Sequence, residues 1–340
     1  MRKIIIGIES SCDETSVAVL ENDNNLLSNI VSSQVQIHQK YGGVMPEVAS
    51  RIHVEQITMV LEEALNKANV TMEDVSAIAL TKGPGLIGAL HVGMQAAKTL
   101  SLVYDIPLIY VHHLAGHIYA NEFIKPLQYP CLALVVSGGN TELVYLKEPL
   151  SFEIVGETRD DAIGEAYDKV ARVLGLSYPG GPIIDKLANK GNPNYNLPSP
   201  MNDKSLDVSY SGLKTAVVNL VHKLKQNKTD IIVEDMASSF QLVAVNMLID
   251  KLLLALEQYD VKQVVLGGGV SANSYLRRQV QEKIKEINNE IEVLIPPLWC
   301  CTDNAAMIAK VGSMLYDKKI FGDLNDGVDP DWRLEDFSLL

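Results

Sequence analysis

The chain has 340 residues, 47% of them hydrophobic, which is enough for a large core and more than one average domain. It carries 29 basic against 42 acidic residues, a net charge of −13, and this excludes a broad basic nucleic-acid face. Four cysteines (Cys12, Cys131, Cys300 and Cys301) form no C-x-x-C pair, so reduced cysteines and a cytoplasmic setting are expected.

"KIIIGIESS" reads as a buried strand running into a turn, and "SVAVLEN" and "NLLSNIVSSQ" as second and third strands. "VMPEVASRIHVEQITMVLEEALNKANV" has apolar residues at helical spacing. "VSAIALTKGPGL" is a strand into a Gly/Pro turn, "GALHVGMQAAKTLSLVYD" a helix and "PLIYVHH" a strand. The order then recurs. "CLALVVSGGNTELVYL" is a hairpin and "GEAYDKVARVLGL" a helix, followed by a polar segment over 178–207. Helices "SGLKTAVVNLVHKLKQ" and "VEDMASSFQLVAVNMLIDKLLLALEQY" come next. "QVVLGGG" is a strand, "NSYLRRQVQEKIKEI" a helix, "EVLIPP" a strand and "TDNAAMIAKVGSMLYD" a last helix. Each half opens on a hairpin and then alternates helix and strand, so two α/β lobes of related plan are expected. The expected division is 1–110 and 111–322, with a tail at about 323–340 packed back on the first lobe. No signal peptide is read at "MRKIIIGIESSCDE". No apolar run reads as the roughly 20 residues that a membrane span needs.

Three of seven histidines fall in "IYVHHLAGHIYANEF". On a helix, His113 and His117 share one face and can hold one metal, while His112 points about 100° away. H-E-x-x-H proteases place a Glu beside the first His as general base. Here Leu114, Ala115 and Gly116 intervene, so that chemistry is missing. The pair needs at least one more ligand, which spacing alone does not identify. "VVSGGNTELV" offers a glycine turn, read as a plain hairpin or as an anion nest. "VVLGGGVSANSYLRR" places Gly267, Gly268 and Gly269 before a helix, which suits a nucleotide, although it is not G-x-G-x-x-G. "YPGGPIIDKLA" carries Gly181 and Asp185, and "AYDKVA" carries Asp168. In "CCTDNAAMIA", Thr302 or Asp303 reads as a helix N-cap, with Asp303 also open as a metal ligand.

Taken together and in order, "GIESSCDETSVAV", "GGVMPEVASRIHVE", "TKGPGLIGALHVGMQAAK", "HHLAGH", "VSGGNTEL", "YPGGP", "SYSGLKTA", "GGGVSANSYLR" and "CTDNAAMIA" resemble the bacterial TsaD (Gcp/YgjD) family of tRNA N6-adenosine threonylcarbamoyltransferases. The resemblance runs from about Ile4 to Leu315. It implies the actin/Hsp70/sugar-kinase (ASKHA) fold, two ribonuclease-H-like lobes around a nucleotide cleft. It implies transfer of threonylcarbamoyl from threonylcarbamoyl-AMP to N6 of the adenosine 3′ of the anticodon in tRNAs reading ANN codons, with release of AMP. It also implies a divalent metal, Fe²⁺ or else Zn²⁺, on His113, His117 and Asp303, facing the nucleotide phosphate. Nucleotide contacts would come from Val135, Val136, Ser137, Gly138, Gly139, Asp168, Gly181, Asp185 and Asn273. Glu9, Asp13 and Glu14 are candidate catalytic residues by position. The implied partners are a TsaB paralogue and the ATPase TsaE, with TsaC supplying the adenylate and no membrane involved. At −13 the chain alone should hold tRNA weakly, and Lys204, Lys214, Lys223, Lys225 and Lys228 are a candidate strip. The rival readings are a metalloprotease, the older O-sialoglycoprotein endopeptidase label, and an ATPase or kinase of the same fold.

Overall fold

The computed structural model describes residues 2–201 and 203–338. In chain order its elements are strands β1 (Ile4–Glu9), β2 (Glu14–Glu21) and β3 (Asn25–Ser33), helices α1 (Val35–His38) and α2 (Pro46–Ala68), strand β4 (Ala77–Gly83), helix α3 (Ile87–Tyr104), strand β5 (Leu108–His112) and helix α4 (His113–Tyr119). Then come strands β6 (Cys131–Val136), β7 (Thr141–Leu146) and β8 (Glu153–Glu157), and helices α5 (Ile163–Val173), α6 (Gly180–Ala188), α7 (Ser211–Gln226) and α8 (Val233–Gln258). Strand β9 (Gln263–Gly267), helix α9 (Ser274–Ile287), strand β10 (Glu292–Leu294) and helices α10 (Leu298–Cys301), α11 (Ala305–Asp317) and α12 (Leu334–Phe337) complete the chain.

The chain divides into two compact units, 1–127 with 302–340, and 128–301. This departs from the expected 1–110 and 111–322. The reason lies in α11, which packs on β1, β4, β2 and β5, and in α4, which packs on α11. Both elements therefore belong with the first sheet. The segment after α11 also lies on the first unit: Tyr110 Oη donates to Asp323 O at 2.6 Å, and Asp329 N to Lys82 O at 2.9 Å. Residues 1, 202, 339 and 340 of the expected ranges lie outside the described residues.

The first unit's sheet has the order β3-β2-β1-β4-β5. The β1–β2 and β2–β3 pairs are antiparallel, and β1–β4 and β4–β5 are parallel. β1 is buried along its whole length because helices cover both of its faces. Ile4, Ile6 and Ile8 join a core with Ile57 and Val60 of α2 and Met94 and Ala97 of α3. The alternate residue, Gly7, lies under α11, where a Cβ would come within 2.2 Å of Ala305 O. Gly312 of α11 makes the matching approach from the other side, onto Ala79 of β4. Two glycines thus let α11 sit directly on the sheet.

The second unit's sheet has the order β10-β9-β6-β7-β8, again three antiparallel strands followed by two parallel ones. Its core is built from Leu132, Leu134 and Val136 of β6 against Tyr167, Val217, Phe240 and Leu248 of the helices. α8 is long and apolar enough to cross a membrane by length and composition, but 61% of its most apolar window is buried within the protein. It is the central core helix of this unit. Strand β8 was not expected from the sequence, and α6 begins at Gly180, two residues before the Pro182 that suits a helix's first turn.

Candidate metal centre and nucleotide-binding residues

β5 ends at His112, and α4 begins at the next residue. His112 caps that helix: its Nδ1 accepts from Leu114 N at 3.2 Å, and its Nε2 donates to Trp332 O at 2.8 Å. The ring lies against Trp332 and Phe337, and burial lowers its pKa to about 3. His112 is thus a neutral structural residue turned away from its two neighbours, as helix geometry requires.

His113 and His117 stack one turn apart, with ring centroids 4.8 Å apart at 87°. Gly116, which weakens the helix in isolation, allows α4 to approach α11: a Cβ there would lie 3.0 Å from Met307 Cγ. Asp303 stands just before α11. It does not cap the helix, as the sequence suggested for Thr302 or Asp303. Asn304 does so, accepting from Met307 N at 3.2 Å, which leaves the Asp303 carboxylate for other work. Asp303 Oδ1 lies 3.1 Å from His117 Nε2 and 3.5 Å from His113 Nε2.

The three donor atoms lie within 4.8 Å of one another. Two ligands bound at about 2.1 Å to one ion, at tetrahedral or octahedral angles, sit roughly 3.0–3.4 Å apart. The two His–Asp separations, 3.1 and 3.5 Å, are close to that spacing, and the two imidazoles would draw together around an ion. Two imidazoles and one carboxylate with further positions free form a donor set suited to Fe²⁺ or Zn²⁺. Electrostatics favour a cation here. Burial alone would lower the His113 pKa, but Asp303 and Glu9 overcome it and raise it well above its ordinary value. Asp303 is lowered, because the neighbouring His113 and His117 outweigh the burial that would raise it.

The three candidate catalytic carboxylates share this unit. Glu9 is wholly buried at the end of β1. Asp13 is buried, with Oδ2 unpartnered among the described residues. Glu14 begins β2 and accepts from Ser33 Oγ at 3.1 Å. Burial, with the charges of Asp13 and Asp303 added, raises its pKa well above the ordinary value.

The predicted nucleotide residues all belong to the second unit. Val135 and Val136 end β6 with their side chains fully buried. The turn after them is less open as an anion nest than its sequence suggested, because Ser137 Oγ already accepts from Gly139 N and Asn140 N at 3.3 and 3.0 Å. Beside it, Gly268 adopts φ +87°, and a Cβ there would meet Val136 O at 2.3 Å. Open space does remain over Gly138, Gly139, Gly181 and Gly269.

Asp168 on α5 accepts from Gly180 N at 2.6 Å, which fixes the start of α6. Asp185 on α6 reaches the start of α9, accepting from Ser274 N and Oγ at 3.1 and 2.8 Å. Asn273 caps α9. One residue that the sequence did not single out joins these groups. Gln241 on α8 donates to Asp185 Oδ1 at 3.1 Å and accepts from Asn273 Nδ2 at 2.8 Å and Tyr167 Oη at 3.2 Å. A lone Gln inside a long apolar helix was the available signal. Of the lysine strip, Lys214 is held by Asp161 at 2.6 Å, while Lys223 and Lys225 are exposed in the last turn of α7.

The profile of the family described as "TsaD: tRNA N6-adenosine threonylcarbamoyltransferase" matches residues 25–310. The chain belongs to this family. A protein of that name from Bacillus cereus is 56% identical over 316 residues, covering 93% of this chain and 92% of the relative. Its Bacillus subtilis counterpart is 52% identical, covering 99% and 97%, and that of Listeria welshimeri 54%, covering 98% and 97%. The chain is accordingly a transferase that modifies tRNA.

Among solved structures, the component A of (R)-2-hydroxyglutaryl-CoA dehydratase from Acidaminococcus fermentans is similar, with a TM-score of 0.55 at 15% identity, covering 94% of this chain and 98% of that one. Full-length HypF is similar with a TM-score of 0.59 at 14% identity, covering 94% of this chain and 47% of its own. These likenesses concern the fold, which is of the ASKHA type.

Proposed function

We propose that this transferase moves the threonylcarbamoyl group of threonylcarbamoyl-AMP onto N6 of the adenosine 3′ of the anticodon in tRNAs reading ANN codons, and that it needs a divalent metal to do so. The observation that carries the metal dependence is the convergence of His113, His117 and Asp303 from two distant parts of the chain. The family supplies the reaction class. Fe²⁺ is the preferred ion for two imidazoles and a carboxylate with open positions, and Zn²⁺ is the alternative. When bound, the ion supplies Lewis-acid stabilisation of developing negative charge.

In the reaction the adenosine amine attacks the carbamoyl carbon, the bond from that carbon to the phosphate oxygen breaks, and AMP departs with the electron pair. The proton lost from N6 needs an acceptor, and Asp13 and Glu14 are the proposed candidates. On the second unit, the space over Gly138, Gly139, Gly181 and Gly269 suits a flat base or a sugar. Asp168, Asp185 and Asn273 surround the start of α6 and α9, and carboxylates and a carboxamide of this kind suit ribose hydroxyls. The buried Ser271 hydroxyl has no partner among the described residues and is a further group for a ligand.

The acidic chain needs help with tRNA, which fits a shared surface with a TsaB paralogue, with TsaE as ATPase and TsaC as source of the adenylate. Exposed Val54 and Met59 on α2, and Leu102, Val103 and Tyr104 on the neighbouring α3, suit a protein partner. We place the protein in the cytoplasm, where tRNA is. The test is nucleoside analysis of unmodified tRNA after incubation with the protein, its partners, threonine, bicarbonate and ATP. Threonylcarbamoyladenosine is expected, and its absence overturns the reading.

A further inference from the structure

Glu9 was a candidate catalytic group by position, but its surroundings assign it another task. It is 0% exposed. Its Oε1 accepts from Ser11 N at 2.6 Å. Its Oε2 accepts from Thr81 Oγ1 at 2.7 Å and faces His113 Nδ1 at 3.0 Å. Both oxygens are therefore engaged by protein donors, and no surface is left for a substrate. The contact with His113 falls on the ring nitrogen opposite the one that faces Asp303.

We propose that Glu9 is a positioning residue for the metal centre: its buried carboxylate takes the Nδ1 proton of His113 as a hydrogen bond and so holds the Nε2 lone pair toward the ion. The proposal rests on the metal-centre reading above. An imidazole can present either nitrogen, and a fixed acceptor on one of them selects the other as ligand. A carboxylate acceptor also strengthens the ring as a donor to metal. Thr81 and Ser11 in turn keep the carboxylate from rotating away. Ser11 Oγ, 3.2 Å from the same Nδ1, sits on the same side of the ring and gives no competing reason for it to flip. The arrangement is one-sided. His117 Nδ1 is buried with no partner among the described residues, so the orienting carboxylate serves His113 alone. β1 thereby contributes to the metal centre without supplying a ligand.

A Glu9→Gln exchange tests this. The amide keeps size and shape but has one acceptor where three donors converge, so its NH₂ must face one of them. Metal-free wild-type protein and the variant are titrated with zinc against a chromophoric chelator, and the melting of the metal-free forms is recorded alongside. The expected result is an intact fold with zinc affinity about 10–100-fold weaker. Equal zinc affinity in the two proteins overturns the role of Glu9 while leaving the metal centre standing. Failure of the wild type to bind zinc overturns the metal centre and Glu9 with it. A second measurement needs no variant: ¹⁵N-resolved histidine spectra of zinc-loaded wild type. These should show His113 protonated on Nδ1 and bound through Nε2, and the opposite tautomer overturns the proposal.

Discussion

Replacing Gly7 with alanine should damage the metal centre through α11, against which the new methyl would press. The new Cβ would lie 2.2 Å from Ala305 O, 2.8 Å from Ala309 N and 2.9 Å from Ala309 Cβ. Relief to ordinary contact requires α11 to retreat by roughly 1 Å, because two of these neighbours are backbone and cannot rotate away. Overpacking of this kind costs about 1–3 kcal/mol. For a unit of this size that is a drop of about 2–12 °C in melting temperature. Asp303 immediately precedes α11, and metal–ligand distances tolerate only about 0.2 Å. Zinc affinity should therefore fall at least about tenfold, a loss of about 1.4 kcal/mol. The assay is calorimetry with and without zinc, the zinc-responsive transition marking the first unit, together with chelator titration. A melting temperature within about 1 °C of wild type, with unchanged zinc affinity, would refute the claim that glycine contact seats α11.

Alanine at His117 or Asp303 should abolish zinc binding and threonylcarbamoyl transfer together; transfer at the wild-type rate by metal-free variants would sink the role given to the ion. Gln241→Leu should leave Asp185 and Asn273 without their shared partner, costing about 1–3 kcal/mol of stability and weakening AMP binding about tenfold, read by calorimetry. Wild-type AMP affinity in that variant would contradict the link. Asp160 is lowered by Ser209, Tyr210 and Ser211, and Asp161 by Lys169 and Lys214, in both cases against the burial that would raise them. Folded values below the unfolded one mean stability that is present above about pH 4 and lost as pH falls through the folded values. Melts from neutral pH downward should show this loss, and Asp160→Asn with Asp161→Asn should flatten it. An unchanged acid slope in the double variant would show that these carboxylates do not carry it.

The fold was largely legible because both halves use long periodic segments. "IIIGI" is apolar throughout because helices cover both of its faces, and the alternation of Ile6 with Gly7 marks the two sides. What escaped was short or shaped by tertiary contact. β8 has only five residues, and α6 starts on the two glycines ahead of Pro182, which local propensity assigns to the turn before the helix. The lobe boundary was misplaced because α11 returns to the first sheet from nearly 300 residues away, which chain order does not reveal. Spacing identified His113 and His117 as a pair and dismissed the protease motif. It did not find the third ligand, since Asp303 lies 186 positions from His117, and that came from the resemblance. Glu9 was noticed for its place in the first turn, and the positioning role proposed for it rests on the engagement of both its oxygens, a property of packing that spacing does not reveal.

The two sheets have the same strand plan, and the candidate groups occupy equivalent places in both. In the first unit, Glu9 ends β1, His112 ends β5 with the metal histidines directly after it, and Thr81 lies near the end of β4. In the second, Val136 and the Ser137 turn end β6, while Gly267 ends β9 and leads to Asn273. All lie at the carboxyl ends of strands: β1, β4 and the edge strand β5 in the first sheet, β6 and β9 in the second. There the chain leaves the hydrogen-bonded ladder, and side chains or bare backbone become available to a ligand. The difference lies in what each unit places there. The first unit fills its strand ends with carboxylates and imidazoles, which cost stability when buried unless a cation offsets them. The second fills its own with glycines and an amide network, groups suited to a neutral ring and hydroxyls. A plan used twice has thus been given two chemistries by substitution at strand ends. On the proposed function, the ion-dependent step belongs to the first unit and nucleoside recognition to the second. With AMP binding measured on metal-free protein, variants at Glu9 or His117 should then change zinc affinity and leave AMP affinity intact, and Gln241→Leu should do the reverse. Loss of both affinities from any one of these changes would show that the two chemistries are not separable in this way.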